Sequence, residues 1–393
     1  MGVSFRNKVC SVSVVALCSV ALLCTTGPIM QAFLANLGFD SRALYIHSTL
    51  VQAANVLTIS LCSGWADRGN LIRRAALIQL PRVALFLACL PLCFHGSDSL
   101  STFLAITTIC LLQSVCIALY TVCEYKLPYF IWTPEDYGPL SAVSGIVAGL
   151  LSLVMGVVVT QLAGVLPYNR LMLYACIVSA GLIGLSAALV ALLRPLPGTV
   201  QPPIPRQRGV AQLSVFRQPV FYRMLPANLA RGFATGTTTV MAAVALDLGH
   251  SETTVTALVT FQSIATLAGC CIFGIVVKRT SSRLINLLGS LSFLLLPLVL
   301  QGDPKLFLVV YTVLILGRTF VDYSVPVVLR FAVPVDIAGP YNAWRMLLHN
   351  GGMLLATTVA AFIPVEALLI LSVILQLYSG IQYFTAKEMR SAV

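Results

Sequence analysis

Long apolar runs separated by short polar segments dominate the chain and predict α-helices that cross a membrane. A membrane-spanning helix needs about 20 mostly apolar residues, and twelve segments of the chain are long enough. They cover residues 9–33, 44–65, 74–94, 102–130, 139–164, 170–193, 221–247, 254–277, 283–300, 306–330, 339–362 and 365–385. The runs lack the ten-residue alternation typical of β-barrel strands. We therefore predict an all-α membrane protein with twelve spans.

The composition supports a membrane environment. Hydrophobic residues make up 58% of the 393 residues and charged residues only 9%, whereas soluble domains carry about 25% charged residues. A surface this poor in charge is suited to lipid, which favours helices because their backbone polar groups pair internally. Twelve spans leave almost no residues for a soluble domain, so we expect no large extramembrane enzyme domain.

The net charge of +11 reflects topology and does not indicate a nucleic-acid partner. With a cytoplasmic N-terminus, the outer segments hold few basic residues: Arg42, Arg170 and Lys305. The inner segments hold many more: Arg6, Lys8, Arg68, Arg73, Arg74, Arg194, Arg206, Arg208, Arg217, Arg223, Lys278, Arg279, Arg283, Lys387 and Arg390. This positive-inside bias predicts that both termini lie in the cytoplasm.

The cysteines and the known catalytic motifs give no indication of an enzyme. All twelve cysteines precede residue 272, and none has metal-ligand spacing with a histidine. We expect them to be packing residues, with no structural disulfide and no metal. The chain has no Gly-x-x-x-x-Gly-Lys-Ser/Thr loop and no serine–histidine constellation. We therefore expect neither an ATP-driven pump nor an enzyme, and no cofactor.

A linker and an internal repeat predict two halves. Residues 194–219 are rich in proline and arginine, and they separate a predicted six-helix bundle at 1–193 from a second at 220–393. The pairs Leu37-Gly38 and Leu248-Gly249 lie 211 residues apart, as do residues 67–68 and 278–279. Residues 134–142 and 334–343 share a proline, an aspartate and a Gly-Pro pair. Both halves run in the same direction, which predicts a pseudo-two-fold axis along the membrane normal.

The loop between spans two and three resembles the signature of the major facilitator superfamily. That signature is approximately Gly-x-Leu-Ala-Asp-Arg-x-Gly-Arg-Arg, and Ala66, Asp67 and Arg68 match it in place. Gly64 is one residue late, Trp65 replaces the leucine, and the basic pair arrives late, at residues 73–74. The second copy, residues 274–279, has lysine in place of the aspartate.

The resemblance implies a secondary transporter that works by alternating access, acts as a monomer and lies in the bacterial inner membrane. It also implies that the two loops help to hold the cytoplasmic side closed. The implied gating residues are Asp67, Arg68, Arg73, Arg74, Lys278 and Arg279. The alternative is a simple stop-transfer loop in which Arg73 and Arg74 face anionic lipid.

Ionisable residues inside the predicted spans are the candidates for chemistry. A charge at the bilayer centre costs about 2.5–3.5 kcal/mol on insertion scales, so it usually faces the bundle interior. These residues are Glu124, Lys126, Arg231, Arg318, Asp322 and Arg345, and His349 lies one turn beyond the last of them. Arg318 and Asp322 are four residues apart and can therefore pair on one helix face. We expect Arg82, beside Pro81, to extend towards the inner membrane surface.

Two interpretations of these charges remain open. In the functional one, Arg231, Arg318, Arg345 and Lys126 form a positive cavity suited to carboxylate or phosphate. Gln31, Asn228 and Gln262 would add neutral hydrogen bonds, and Asp322, Glu124 or His349 would carry a proton. In the structural alternative, the charges are interhelix pairs near the cytoplasmic end, and the amides hold helices together.

The leading hypothesis is a transporter of a small organic anion or zwitterion, coupled to protons and embedded in the lipid bilayer. The alternative within this class is a proton antiporter that exports drugs or amphiphilic metabolites. The arginine associated with such antiporters in the resembled family would align near Cys110 and is absent, which weakens that alternative. A receptor or an intramembrane enzyme would not explain twelve spans in two repeated halves.

Overall fold

A computed structural model describes residues 3–25, 28–62, 70–124, 127–133, 137–196, 219–277, 279–332 and 338–385. All regular structure in these ranges is helical. The first nine helices are α1 (Val3–Thr25), α2 (Pro28–Asn36), α3 (Ser41–Cys62), α4 (Leu71–Ala88), α5 (Leu90–His95), α6 (Leu100–Glu124), α7 (Pro128–Ile131), α8 (Tyr137–Ala163) and α9 (Tyr168–Ala191).

Seven further α-helices follow the predicted linker, of which only residues 194–196 and 219 lie within the described ranges. They are α10 (Pro219–Thr239), α11 (Met241–Asp247), α12 (Glu252–Val276), α13 (Ser282–Leu291), α14 (Pro304–Ala332), α15 (Ala338–Ala360) and α16 (Val365–Thr385). A 3-10 segment, Ser292–Gln301, continues α13 and contains Pro297. Proline lacks the amide hydrogen that a regular α-helix needs at this point.

The predicted membrane architecture is confirmed. Within the described residues, ten helices are long and apolar enough to cross a membrane. An eleventh is obtained if α10 and α11, which meet at a bend of 54°, form one broken span. The predicted span at 339–362 coincides with α15, which is not among these eleven. The all-helical multi-pass fold is therefore established, and the count of twelve spans stays a prediction.

The packing divides the chain into two compact units. The first unit comprises residues 1–203 together with 251–263, and the second comprises 204–250 together with 264–393. In the first unit, α1 and α4 both pack against α9, and α3 and α4 pack against α6. In the second unit, α10 packs against α15 and α16, and α13 packs against α14 and α16.

The repeat predicted from the sequence is visible in two helix ends. Gly38 and Gly249, 211 residues apart, both adopt positive φ angles, of 98° and 80°. Each ends a helix with the same pair of hydrogen bonds. The glycine N–H donates to the carbonyl three residues back, at 2.9 Å in both copies, and the next N–H donates to the carbonyl five residues back. Left-handed glycine at this position is a common helix stop.

The helix that follows each glycine also begins in the same way. The Asp40 carboxylate accepts from the Ala43 N–H at 2.8 Å, and the Ser251 hydroxyl accepts from the Thr254 N–H at 3.4 Å. Both pairs satisfy amides that the first helical turn leaves without partners. The correspondence at an offset of 211 therefore includes backbone geometry as well as residue identity.

Candidate functional site

The core of the second unit is formed where α10 and α15 approach each other through glycines. Gly232 and Gly236 lie four residues apart on α10, and Gly352 lies on α15. A Cβ added at Gly232 would collide with the His349 carbonyl oxygen, and one at Gly236 would lie 2.8 Å from the Met353 Cα. Small residues at this spacing let helix backbones touch within a membrane. The close contact determines which side chains meet on either side of it.

The first of these side chains is Arg231, next to Gly232. It is 4% exposed, and its Nε donates to the Nδ1 of His349 on α15 at 3.4 Å. Because Nδ1 accepts this bond, it carries no hydrogen itself. The Arg231 Nη1 is buried and has no hydrogen-bond partner among the described residues. The guanidinium therefore retains unused donor capacity inside the second unit.

Arg318 and Asp322 form the pair that their spacing on α14 predicted. The Arg318 Nε lies 3.4 Å from the Asp322 Oδ2, and its Nη1 donates to the Thr238 hydroxyl on α10 at 2.9 Å. The two charged side chains are 27% and 37% exposed, respectively. This pair is partly accessible, in contrast to the buried Arg231.

The pair of Arg231 and His349 and the pair of Arg318 and Asp322 belong to one electrostatic cluster. We call it the arginine cluster, and it consists of Arg231, Arg318, Arg345, Asp322 and His349. All three guanidinium groups act electrostatically on His349. Tyr383 on α16 experiences the charges of Arg231 and Arg345. Within the residues that define it, the cluster brings three guanidinium groups together with the carboxylate of Asp322.

Asn228 and Tyr383 form a neutral hydrogen-bonded pair beside the cluster. The Tyr383 hydroxyl donates to the Asn228 Oδ1 at 2.9 Å, and the Asn228 Nδ2 donates to the Met224 carbonyl at 2.8 Å. Both side chains are buried. The predicted substrate amide Asn228 thus uses its oxygen and its nitrogen in bonds within the protein, which fits its alternative role in holding helices together.

The remaining predicted binding residues are not brought together in the second unit. Gln31 is buried in the first unit and donates to the Ser48 hydroxyl at 3.3 Å. Gln262 falls in the part of α12 that belongs to the first unit. Lys126 lies outside the described residues.

The predicted gating residues are only partly described. Asp67, Arg68 and Lys278 lie outside the described residues, so their gating role stays a prediction. The Arg73 N–H donates to the Asn70 side chain at 3.1 Å and helps to start α4. The side chains of Arg73 and Arg279 are exposed, and that of Arg74 is half-buried.

The expectation for Arg82 is wrong. Arg82 does not extend to a membrane surface but is 1% exposed inside the first unit, where its Nη1 donates to the Gln79 Oε1 at 2.5 Å. The α4 helix continues through Pro81 and ends only before Cys89. Arg82 therefore stays within a packed helix.

Several solved structures have folds similar to that of this chain over nearly its full length. The nucleoside transporter NupG is 15% identical with a TM-score of 0.67, covering 100% of this chain and 99% of its own. A D-xylose–proton symporter is 10% identical with a TM-score of 0.69 and 99% coverage of each chain. A bacterial homologue of the iron transporter ferroportin, in an outward-facing state with soaked iron, is 13% identical with a TM-score of 0.63 and 98% coverage of each chain.

The chain shares the fold of these solved transporters over nearly its full length. This shared fold is consistent with the one that the resemblance at residues 62–74 implied. No protein-family model and no curated protein matches the sequence.

The sequence did not point to two participants in the site, Thr238 and Tyr383. Both are common residue types within apolar helices and carry no charge to single them out. The Gly232–Gly236 spacing was a detectable signal, because it is typical of close helix contacts. It would have predicted a tight neighbour for α10 without identifying which helix.

Proposed function

We propose that this protein is a secondary transporter that moves a small organic anion or zwitterion across a membrane by alternating access, coupled to protons. Two of the structural neighbours named above are a nucleoside transporter and a D-xylose–proton symporter, and the third is a homologue of an iron transporter. This chain shares their fold over at least 98% of its length. Those neighbours transport different substrates. The substrate class must therefore be argued from this chain's own residues.

The arginine cluster is the single observation that carries the substrate class. Three guanidinium groups act electrostatically on His349. Arg231 among them is buried, and its Nη1 has no hydrogen-bond partner among the described residues. Buried charge is costly in a membrane protein and is retained mainly where it serves function. Guanidinium groups bind carboxylates and phosphates through paired hydrogen bonds, so the unused donor of Arg231 supports an anionic group on the substrate.

Three residues are proposed to carry the proton: Asp322, Glu124 and His349. His349 fits this role less well, because its Nδ1 accepts from Arg231 and all three guanidinium groups oppose a further positive charge. Asp322 is partly exposed and already pairs with Arg318, so it can exchange a proton when that pair opens.

The proposal extends to topology. The chain would lie in a bacterial inner membrane as a monomer, with both termini cytoplasmic and with six-helix bundles at residues 1–193 and 220–393. Charge pairing around Asp67, Arg68, Arg73 and Arg74, with Lys278 and Arg279 in the second copy, would stabilise the closed cytoplasmic side.

A thermal-shift screen of purified protein tests the substrate class. We expect organic anions or zwitterions to raise the melting temperature, because a ligand that binds only the folded state stabilises it. Repeating the screen at two pH values tests proton linkage. Stabilisation by cationic amphiphiles alone would instead favour the drug-efflux alternative.

A further inference from the structure

A second group of ionisable residues lies in the first unit, around Arg82. This side chain is 1% exposed. Its Nη1 donates to Gln79, while its Nε and Nη2 are buried and have no hydrogen-bond partner among the described residues. A buried guanidinium in this state is costly unless a counter-charge lies near it.

Glu124 on α6 supplies that counter-charge. It is half-buried, and its carboxylate interacts electrostatically with the Arg82 guanidinium. The two helices are also joined by a hydrogen bond, because the Gln113 Nε2 on α6 donates to the Arg82 carbonyl on α4 at 2.9 Å. This bond holds the α4 backbone at Arg82 against α6, the helix that carries Glu124.

The other titratable groups described near this pair are thiols and a phenol, and one of them, Cys116 on α6, interacts with Arg82. Cys18 on α1 interacts with both charges, and its sulfur accepts from the Gln79 Nε2 at 3.5 Å. Tyr120 and Cys123 lie on α6 itself. The α3 helix, which also packs against α6, contributes His47, but this side chain bonds to Thr107, more than four turns from Glu124. Glu124 is thus the carboxylate among the described groups of this environment and the candidate for proton exchange.

We propose that Arg82 is a positioning residue for Glu124, and that the pair forms a proton-exchange site in the first unit, apart from the arginine cluster. The proton adds to a carboxylate oxygen of Glu124 and gives the neutral acid, which leaves Arg82 as the uncompensated charge. The two states of the pair therefore differ by one full charge within the first unit. This inference rests on the proposed proton coupling and deepens it by assigning the proton and the substrate to different residue clusters.

Infrared titration of the full-length protein in lipid tests the proposal without any substrate. The carbonyl band of a protonated carboxylic acid is recorded as the pH is lowered, and the band that Glu124→Gln removes is assigned to Glu124. Arg82→Gln should move the appearance of this band to higher pH by roughly 1–3 units, because a nearby positive charge favours the carboxylate. Arg82→Lys keeps the positive charge, so the Glu124 band should appear close to the pH at which it appears in the parent protein.

Arg170→Gln is the matched control, since Arg170 is an exposed arginine of the first unit and should leave the band in place. The proposal is wrong if no band depends on Glu124, or if Arg82→Gln leaves the band at its original pH. If Arg82→Gln does not fold, the titration of Arg82→Lys tests the charge pairing instead. A Glu124 band at an unchanged pH supports the pairing, and loss of the band contradicts it. A failed substrate screen would refute the transport proposal and leave this titration unaffected.

Discussion

Two adjacent glycines on α15 provide a matched test of the contact that builds the arginine cluster. A Cβ at Gly352 would collide with the Leu229 carbonyl oxygen and lie 2.7 Å from the Phe233 nitrogen on α10. These are backbone atoms, so the two helices would have to separate. A Cβ at Gly351, the preceding residue of the same helix, would meet nothing within 4 Å.

A glycine-to-alanine change has two opposing effects on the free energy of unfolding. Replacing glycine by alanine inside a helix stabilises it by about 0.5–1 kcal/mol through backbone entropy alone, whereas overpacking a tight contact costs about 1–3 kcal/mol. We therefore expect Gly351→Ala to be neutral or slightly stabilising. Gly352→Ala should lower the free energy of unfolding by roughly 1 kcal/mol, since the difference between these two effects spans about 0 to 2.5 kcal/mol.

The assay is thermal unfolding of both purified variants and the parent protein, in which the fraction that stays folded is measured at each temperature. The same contact brings Arg231 to His349, so Gly352→Ala should also weaken ligand stabilisation in the substrate screen. Equal midpoints for the two variants, or a larger loss for Gly351→Ala, would refute the proposed backbone contact between α10 and α15.

Three further predictions concern other parts of the fold. Gly249→Ala should destabilise the protein by about 1 kcal/mol, since the residue adopts a positive φ that disfavours a side chain. Gly274→Ala is its control in the same melting assay and should be tolerated, because Gly274 has open space around it and no positive φ. Tyr383→Phe should cost about 1 kcal/mol by removing the buried bond to Asn228. Burial lowers the pKa of His250, so unfolding measured against pH should show stability falling as the pH drops below about 6.5, where the unfolded chain binds the proton more readily.

Each of these predictions has a control or a contradicting outcome. Tyr378→Phe removes a hydroxyl from an exposed residue of the same helix and should change stability little. His250→Phe introduces the residue found at the equivalent position of the first repeat, Phe39, and should abolish the acid sensitivity. A pH dependence that persists in His250→Phe would assign it to another group.

The sequence was sufficient to predict contacts between residues of the same helix. It was also sufficient to predict features that depend on the length and polarity of a segment, such as the spans. The spacing of Arg318 and Asp322 predicted their pairing because four residues place two side chains on one helix face. The offset between Gly38 and Gly249 predicted a repeat that extends to the same backbone conformation. Apolar length alone predicted the spans of the first unit.

The sequence was insufficient where the partner lies on another helix. The bond between Arg231 and His349 depends on which helix the glycines of α10 contact, and 118 residues separate the two side chains. Arg82 was wrongly placed at the inner membrane surface, because its burial depends on the helices that pack around α4, which continues through Pro81. Its compensation by Glu124 is a tertiary interaction that no local pattern encodes.

Uptake into proteoliposomes is the most direct test of the central claim, that the arginine cluster serves transport of an anion or zwitterion. A radiolabelled compound that stabilises the protein in the thermal screen would be added outside, with and without an imposed pH gradient. We predict uptake that responds to the gradient and is strongly reduced by Arg318→Gln, with Arg170→Gln as the unaffected control. Undiminished uptake by Arg231→Gln, Arg318→Gln and Arg345→Gln, taken singly, would contradict the account.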